Sequence, residues 1–252
     1  MNIFTRPQSP LLFILLMLSF PGYTRDFTII ASPQAPHKFS EEGVVKGIDV
    51  EVISHVMRRL DIKYKIRLIK SAARIIQEAK SGRADMVLLF SRKESRMDYL
   101  IYPNESYIDI SWNFFILKEN SGSITYETFN DLKGLKVGIT NDISYTPEFI
   151  SSGLTFDDVS QNYLQIKKLL GKRIDIVPLN TISTLYEAKK QGYSHRLAYL
   201  PKPLKSKPYY NVFPIASQHP DKQRVMEEYD QVIRDLKEEQ IIAGILNKYL
   251  TE

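Results

Sequence analysis

From Phe27 onward, apolar residues fall into short blocks whose spacing alternates between strand-like and helix-like periods. Phe27–Ala31 is an unbroken run with β-branched members and predicts a strand. Residues 32–47 carry Pro33, Pro36 and Gly43 and predict a loop. Asp49 then stands where it caps a helix running to Leu60, with Val52, Ile53, Val56, Met57 and Leu60 at helical spacing. Ile62, Tyr64, Ile66 and Leu68 alternate with Lys63, Lys65 and Arg67, the pattern of a half-buried strand. A second helix is predicted over 72–80, closed by Gly82, and a fully buried strand over 86–90. This β-α-β-α-β order implies parallel strands with helices on both faces. Ligands in such sheets bind beyond the carboxyl ends of the strands, here the loops 32–39, 70–72 and 91–96.

The second half repeats the plan without repeating the sequence. An extended run covers 112–117, followed by a polar turn over 118–122. A strand is expected over 136–140, a short helix over 145–150 and a helix over 163–170, with Ile166, Leu169 and Leu170 on one face. A strand over 174–179, a helix over 182–190 closed by Gly192, and a strand over 196–200 follow. Pro201, Pro203 and Pro208 mark a crossing segment before another strand over 210–216. The tail, 222–249, reads as helix with a break near Glu239 and Gln240, where the apolar stripe shifts phase.

The first 24 residues break this pattern. Arg6 precedes an unbroken apolar run over 11–20, half the length of a membrane-spanning helix, and Pro21 and Gly22 end it. That order predicts a cleaved secretory signal; a buried N-terminal helix is the alternative. Hydrophobic residues make up 43% of the chain and charged residues 25%, which excludes a disordered chain. Cysteine is absent, so disulfides, thiolate metal sites, Cys nucleophiles and a lipidated cysteine are all excluded. The net charge of +5 is spread among acidic residues, with short basic runs such as 202–207 read as solvated faces; neither nucleic acid nor a cofactor is implied.

Several motifs then fall in order along the chain. Gly47-Ile-Asp49-Val-Glu51, the helix–turn stretch from Arg74 to Asp85, Glu94-Ser-Arg96, Asp131-Leu-Lys-Gly134 through Lys136-Val-Gly-Ile139, and Arg173-Ile-Asp175 together resemble the family 3 extracellular solute-binding proteins, the polar-amino-acid type used by ABC importers. The resemblance spans nearly all of the chain after the signal. It implies an α/β, two-lobed periplasmic-binding-protein-like fold of type II, each lobe a mixed, mostly parallel sheet flanked by helices. Two crossing strands would lie near 112–117 and 199–204. Lobe 1 is then expected over 25–111 and 203–252, and lobe 2 over 112–202. The implied activity is periplasmic capture of a small polar solute by hinge closure, by a monomer without a lipid anchor, for an ABC permease or a membrane sensor.

The resemblance also nominates ligand contacts. Arg96 corresponds to an arginine that holds a ligand carboxylate through paired hydrogen bonds, with Ser91 supplying a nearby hydroxyl; a surface arginine is the alternative. Ser144 and Tyr145 stand where the family opens a helix toward the ligand, although Asp142 replaces the usual glycine; helix capping by Ser144 is the alternative. Asn180 occupies the place of an aspartate that pairs with a ligand ammonium, and an amide cannot neutralise a cation. A peptide, carboxylic acid or neutral polar solute gains weight accordingly. Aromatic cover is expected from His37 or Phe39, and Arg74 is a further cleft candidate. Trp112 lies at a crossing, where it either packs in the hinge or touches ligand. The competing function is a lyase on the same fold, resembling cyclohexadienyl dehydratase, with Glu94 or Asp142 as base.

Overall fold

The computed structural model describes residues 25–141, 143 and 145–251; the expected signal segment, Asp142 and Ser144 lie outside them. The chain opens with β1 (Phe27–Ala31), every residue of which is buried. A short hairpin follows, β2 (Phe39–Glu41) and β3 (Val44–Lys46), inside the stretch expected to be loop. Its turn residues Glu42 and Gly43 both take left-handed φ, 51° and 81°, which matches the twist of tight hairpins. Next comes α1 (Ile48–Arg59), whose N-cap is Gly47 rather than Asp49. Gly47 has φ 131°, and a Cβ there would sit 2.3 Å from His37 O. The turn carries Asp49 into the interior, so its side chain is not a cap.

The remaining elements of the first half are β4 (Tyr64–Leu68), α2 (Ala72–Lys80), β5 (Met86–Ser91), the short α3 (Glu94–Met97) and β6 (Leu100–Ile101). β1 is flanked by β4 and β5, both parallel to it, as the β-α-β-α-β pattern requires. The ten-residue β7 (Ile108–Leu117) leads into the second half. There β8 (Lys136–Thr140), α4 (Pro147–Ile150), β9 (Thr155–Val159), α5 (Asn162–Leu170), β10 (Val177–Asn180) and α6 (Thr181–Lys190) follow. β9 pairs with β8 in parallel and was not expected from the sequence. Leu197–Pro214 then forms one 18-residue strand, β11, in place of the two strands expected. The chain closes with α7 (Lys222–Glu238) and α8 (Ile241–Leu250), separated by Gln240 at φ 60°, where the break was expected.

The main sheet runs β10-β7-β11-β5-β1-β4, with β7 and β11 as its long antiparallel spine. Four apolar clusters pack on it. One sets Phe27 and Ile29 against α1, α7 and α8; another covers the opposite face with Ile30, Val87, Ile75 and Val212. In the second half, Phe114 and Ile116 pack with Val137 and Phe149, while Phe115 and Leu117 face Ile166 and Leu169. The alternation along β7 is the period of two that a doubly covered strand imposes. Each such buried side chain contributes roughly 1.5–3 kcal/mol of transfer free energy. β7 passes from the first body's core at Ile110 to the second's at Phe114; β11 makes the reverse passage between Leu204 and Tyr210. The molecule is therefore two α/β lobes joined by two crossing strands.

Candidate functional site

The cleft between the lobes has a volume of about 580 Å3. Its first wall is the end of β5 and the loop into α3, with Phe90, Ser91, Lys93 and Arg96. Its floor is the crossing strands, with Trp112 on β7 and Lys205, Lys207 and Tyr209 on β11. Its second wall is Tyr145, Thr146 and Pro147 ahead of α4. The β11 register explains the lysines: Lys205 and Lys207 share one face, while Ser206 turns the other way and bonds Ser111, Oγ to Oγ at 2.8 Å.

Arg96 reaches back along its own wall. Its Nη1 donates to Ser91 O at 2.9 Å and lies 3.4 Å from Ser91 Oγ, and its guanidinium covers Phe90 at 4.7 Å from the ring centroid. Tyr102 donates its hydroxyl to the same carbonyl at 3.0 Å. Burial pushes the Tyr102 phenol up, and the neighbouring guanidinium partly offsets this. Lys205 stands over Trp112 at 4.4 Å and 6.0 Å from the Tyr145 centroid. Burial, then the charge of Lys207, pushes the Lys205 ammonium below the usual lysine range. The Tyr145 hydroxyl accepts from Thr140 N at 2.9 Å, and burial raises its pKa.

The structure thus brings together Ser91, Arg96, Trp112 and Tyr145 of the residues nominated from sequence. Four others are placed elsewhere. The His37 side chain is fully buried, and its Nδ1 lies 3.1 Å from Asp49 Oδ1. An ionised carboxylate only accepts, so the imidazole donates there and does not face the cleft. Arg74 is 64% exposed on α2 and pairs with Glu78, beside a different cavity of about 620 Å3 on the outer face. Three of that cavity's arginines are engaged, Arg67 and Arg74 with Glu78 and Arg25 with Asp85. Asn180 caps α6, accepting from Ser183 N at 2.9 Å, and lines a side cavity of about 330 Å3 with Ala35 and Tyr186. Phe39 packs near Tyr186 across the lobe boundary, 6.2 Å between centroids. Ser144 lies outside the described residues.

Sequence reasoning passed over Lys93, Lys205, Lys207 and Tyr209. The 202–207 basic run was read as a solvated face, and the available signal was the strand period that sets Lys205 and Lys207 on the same side.

Residues 28–252 match the family model described as bacterial extracellular solute-binding proteins, family 3. The chain belongs to that family. Sequence comparison with curated proteins finds no match. Among solved structures, the second substrate-binding domain of Lactococcus lactis GlnP, in an open conformation, is similar at TM-score 0.74 and 20% identity, covering 90% of this chain and 95% of that one. The unliganded, open L-cystine solute receptor of Neisseria gonorrhoeae gives TM-score 0.76 at 15% identity, with 90% and 93% covered. The probable amino-acid ABC transporter extracellular-binding protein ytmK of Bacillus subtilis gives 0.68 at 15%, with 91% and 99% covered. At these identities the likeness establishes the type II periplasmic-binding-protein fold.

In this solute-binding protein the crossing is stitched by one amide. Pro201 and Pro203 have no N–H to give β7, and the register shifts twice between Tyr199 and Lys205. Asn113, 5% exposed, fills the gap: its Nδ2 donates to Leu200 O at 2.9 Å and to Pro201 O at 3.2 Å. Its backbone N–H donates to Thr181 Oγ1 at 3.2 Å, which ties the strand to the start of α6. Among the described residues, no helix is long and apolar enough to cross a membrane, and no group of three His, Cys, Asp or Glu residues is placed to hold a metal.

Proposed function

We propose that the protein captures a small polar solute in the periplasm by closing its two lobes over the cleft at Arg96, and passes it as a monomer to an ABC permease or a membrane sensor without transforming it. The observation that carries this reading is the composition of the cleft, to which each lobe and both crossing strands contribute side chains. A solute touching Arg96 on one wall and Tyr145 on the other would bind the closed form better than the open one, which is what drives a hinge. The changeover of the apolar clusters near 111–113 on β7 and between Leu204 and Tyr209 on β11 supports taking the lobes to divide close to the 111/112 and 202/203 boundaries expected from sequence.

A thermal-shift screen over amino acids, organic acids, phosphate esters, peptides and sugars tests the reading. A one-site ligand at a hundred times its dissociation constant adds about 2.7 kcal/mol, which for a chain of this length raises Tm by roughly 5–10 °C. Absence of any shift across the panel, with no small molecule co-purifying in native mass spectrometry, refutes it.

A further inference from the structure

The main sheet ends in an open edge at the side of the first lobe. Among the described residues β4 pairs only with β1, so its other side carries no strand. Side chains alternate along it. Tyr64, Ile66 and Leu68 are partly buried against the first lobe's core. Lys65 and Arg67 take the opposite face, where they line the cavity of about 620 Å3 beside α2. That cavity shares no lining residue with the cleft.

Five cations line it, Arg25, Lys65, Arg67, Arg74 and Arg83, against one carboxylate, Glu78. Glu78 is buried and shared by Arg67 and Arg74, while Arg25 spans both oxygens of the buried Asp85. Burial alone would raise the Glu78 carboxyl; hydrogen bonds from Arg67 and Arg74 hold it below its usual value, so it stays ionised at neutral pH. The acid positions these two guanidiniums without exhausting them. Arg67 donates to it through Nη2 and Arg74 through Nε, which leaves further N–H groups on each for an outside acceptor. Lys65 and Arg83 are exposed and, among the described residues, form no ion pair.

Cations on an edge strand guard against self-pairing, since one β4 laid against another sets like charges opposite each other. The same row admits a strand of opposite charge. Residues facing each other across a strand pair lie about 5 Å apart. Alternate positions of an extended chain repeat at roughly 7 Å, the spacing of Lys65 and Arg67 along β4. A small anion would neither span that row nor use the unpaired backbone groups of the edge; an added strand does both.

We propose that the β4 edge and its basic cavity dock an extended acidic segment of a partner protein, with carboxylates at alternate positions meeting Lys65, Arg67 and Arg83, and apolar side chains between them continuing the face of Tyr64, Ile66 and Leu68. The site is separate from the cleft, and the assignment does not depend on what the cleft binds.

Fluorescence anisotropy of the full chain with a dye-labelled peptide of alternating glutamate and valine tests it. That peptide is expected to bind at least about tenfold tighter than its glutamine counterpart, and than a peptide of the same composition with the glutamates in one block. Affinity should fall as salt rises from 0.05 to about 0.3 M, by Debye screening. Lys65→Glu and Arg83→Glu, which set like charges against the peptide, should each weaken it by about tenfold or more with an unchanged far-UV spectrum. The peptide comparison and the salt series use the unaltered protein and stand independently of either variant's folding. No binding of the alternating peptide, equal binding of either control peptide, or affinity unchanged in both variants overturns the proposal. Loss of binding in Arg96→Met but in neither variant places the peptide in the cleft and overturns it too. Displacement of the peptide by equimolar inorganic phosphate assigns the cavity to a small anion, displacement by phosphatidylglycerol vesicles assigns it to a membrane surface, and either result also overturns the proposal.

Discussion

Replacing Asp49 by Asn tests how the first lobe is held beneath the cleft. Asp49 is fully buried, with Lys38 Nζ 3.1 Å from Oδ2 and His37 Nδ1 3.1 Å from Oδ1; the Lys38 side chain is 1% exposed. Burial alone would raise the Asp49 carboxyl. The charge of Lys38 and the hydrogen bond from His37 outweigh it, so the pKa lies below the usual carboxylate value. For Lys38 burial is again the largest influence and pushes its pKa below the usual lysine value, with the Asp49 charge opposing. Asn keeps the shape and one acceptor for His37 but strands the lysine. Breaking a buried ion pair from one side costs about 3–5 kcal/mol, a large share of the ~5–15 kcal/mol that stabilises a domain. The pH response has a definite sign. Between a lowered folded pKa and the ordinary value of 10.5, the unfolded chain binds the extra proton, so stability rises with pH across that window. Losing the carboxylate lowers the Lys38 pKa further and widens the window downward, so the deficit of Asp49→Asn should shrink from pH 7 to pH 9.5. Urea unfolding followed by far-UV circular dichroism at both pH values measures it, with the Lys38→Met, Asp49→Asn double variant expected to recover much of the loss. A deficit under about 1 kcal/mol, a deficit that grows with pH, or a double variant no better than the single one refutes the reasoning.

Arg96→Met should weaken solute binding by about tenfold or more with little change in melting temperature, read by titration calorimetry. Asn113→Ala removes the amide that serves Leu200 O and Pro201 O and should destabilise by about 1–3 kcal/mol in urea unfolding. Gly47→Ala places a Cβ against His37 O at a φ of 131°, and should cost more than about 1 kcal/mol and lower Tm by several degrees. Burial alone would raise the Asp85 carboxyl, but hydrogen bonds from Arg25, Ser217 and Thr28 N hold it below 3.8. Its contribution is present above pH 3.8 and lost as pH falls through the lowered folded value, so Asp85→Asn should flatten the acid limb of a melting-temperature profile.

Elements with strong period were legible in the sequence, and those shaped by partners were not. The α2 span and the break before α8 follow from their apolar stripes. β9 escaped because Asp157 and Asp158 interrupt it; it exists because β8 offers it an edge. β11 read as two strands because Pro201, Pro203 and Pro208 forbid ladder bonds. The structure keeps it whole by shifting register and lending the Asn113 amide, a contact between residues nearly ninety positions apart. Asp49 had the spacing of a helix cap, but the turn at Gly47, with Asp49 N donating to His37 O at 2.8 Å, puts its side chain inside.

The site divides in the same way. Arg96 and Ser91, expected together, do share one wall of the cleft because only six positions of local chain span them. Arg74 and His37 were misplaced because periodicity fixes a residue's element and not which side of the sheet that element covers. The charge of the cleft belongs to neither class. A net charge of +5 reads as a mild excess, and the 202–207 run as surface. Only three dimensions show which charges meet: Glu51, Glu78, Asp85 and Glu105 pair with cations outside the cleft. Lys205 and Lys207 stand on one face of β11 and line the cleft with Arg96. A sequence can count charges, but which of them meet, and which line the cleft, is decided by the fold.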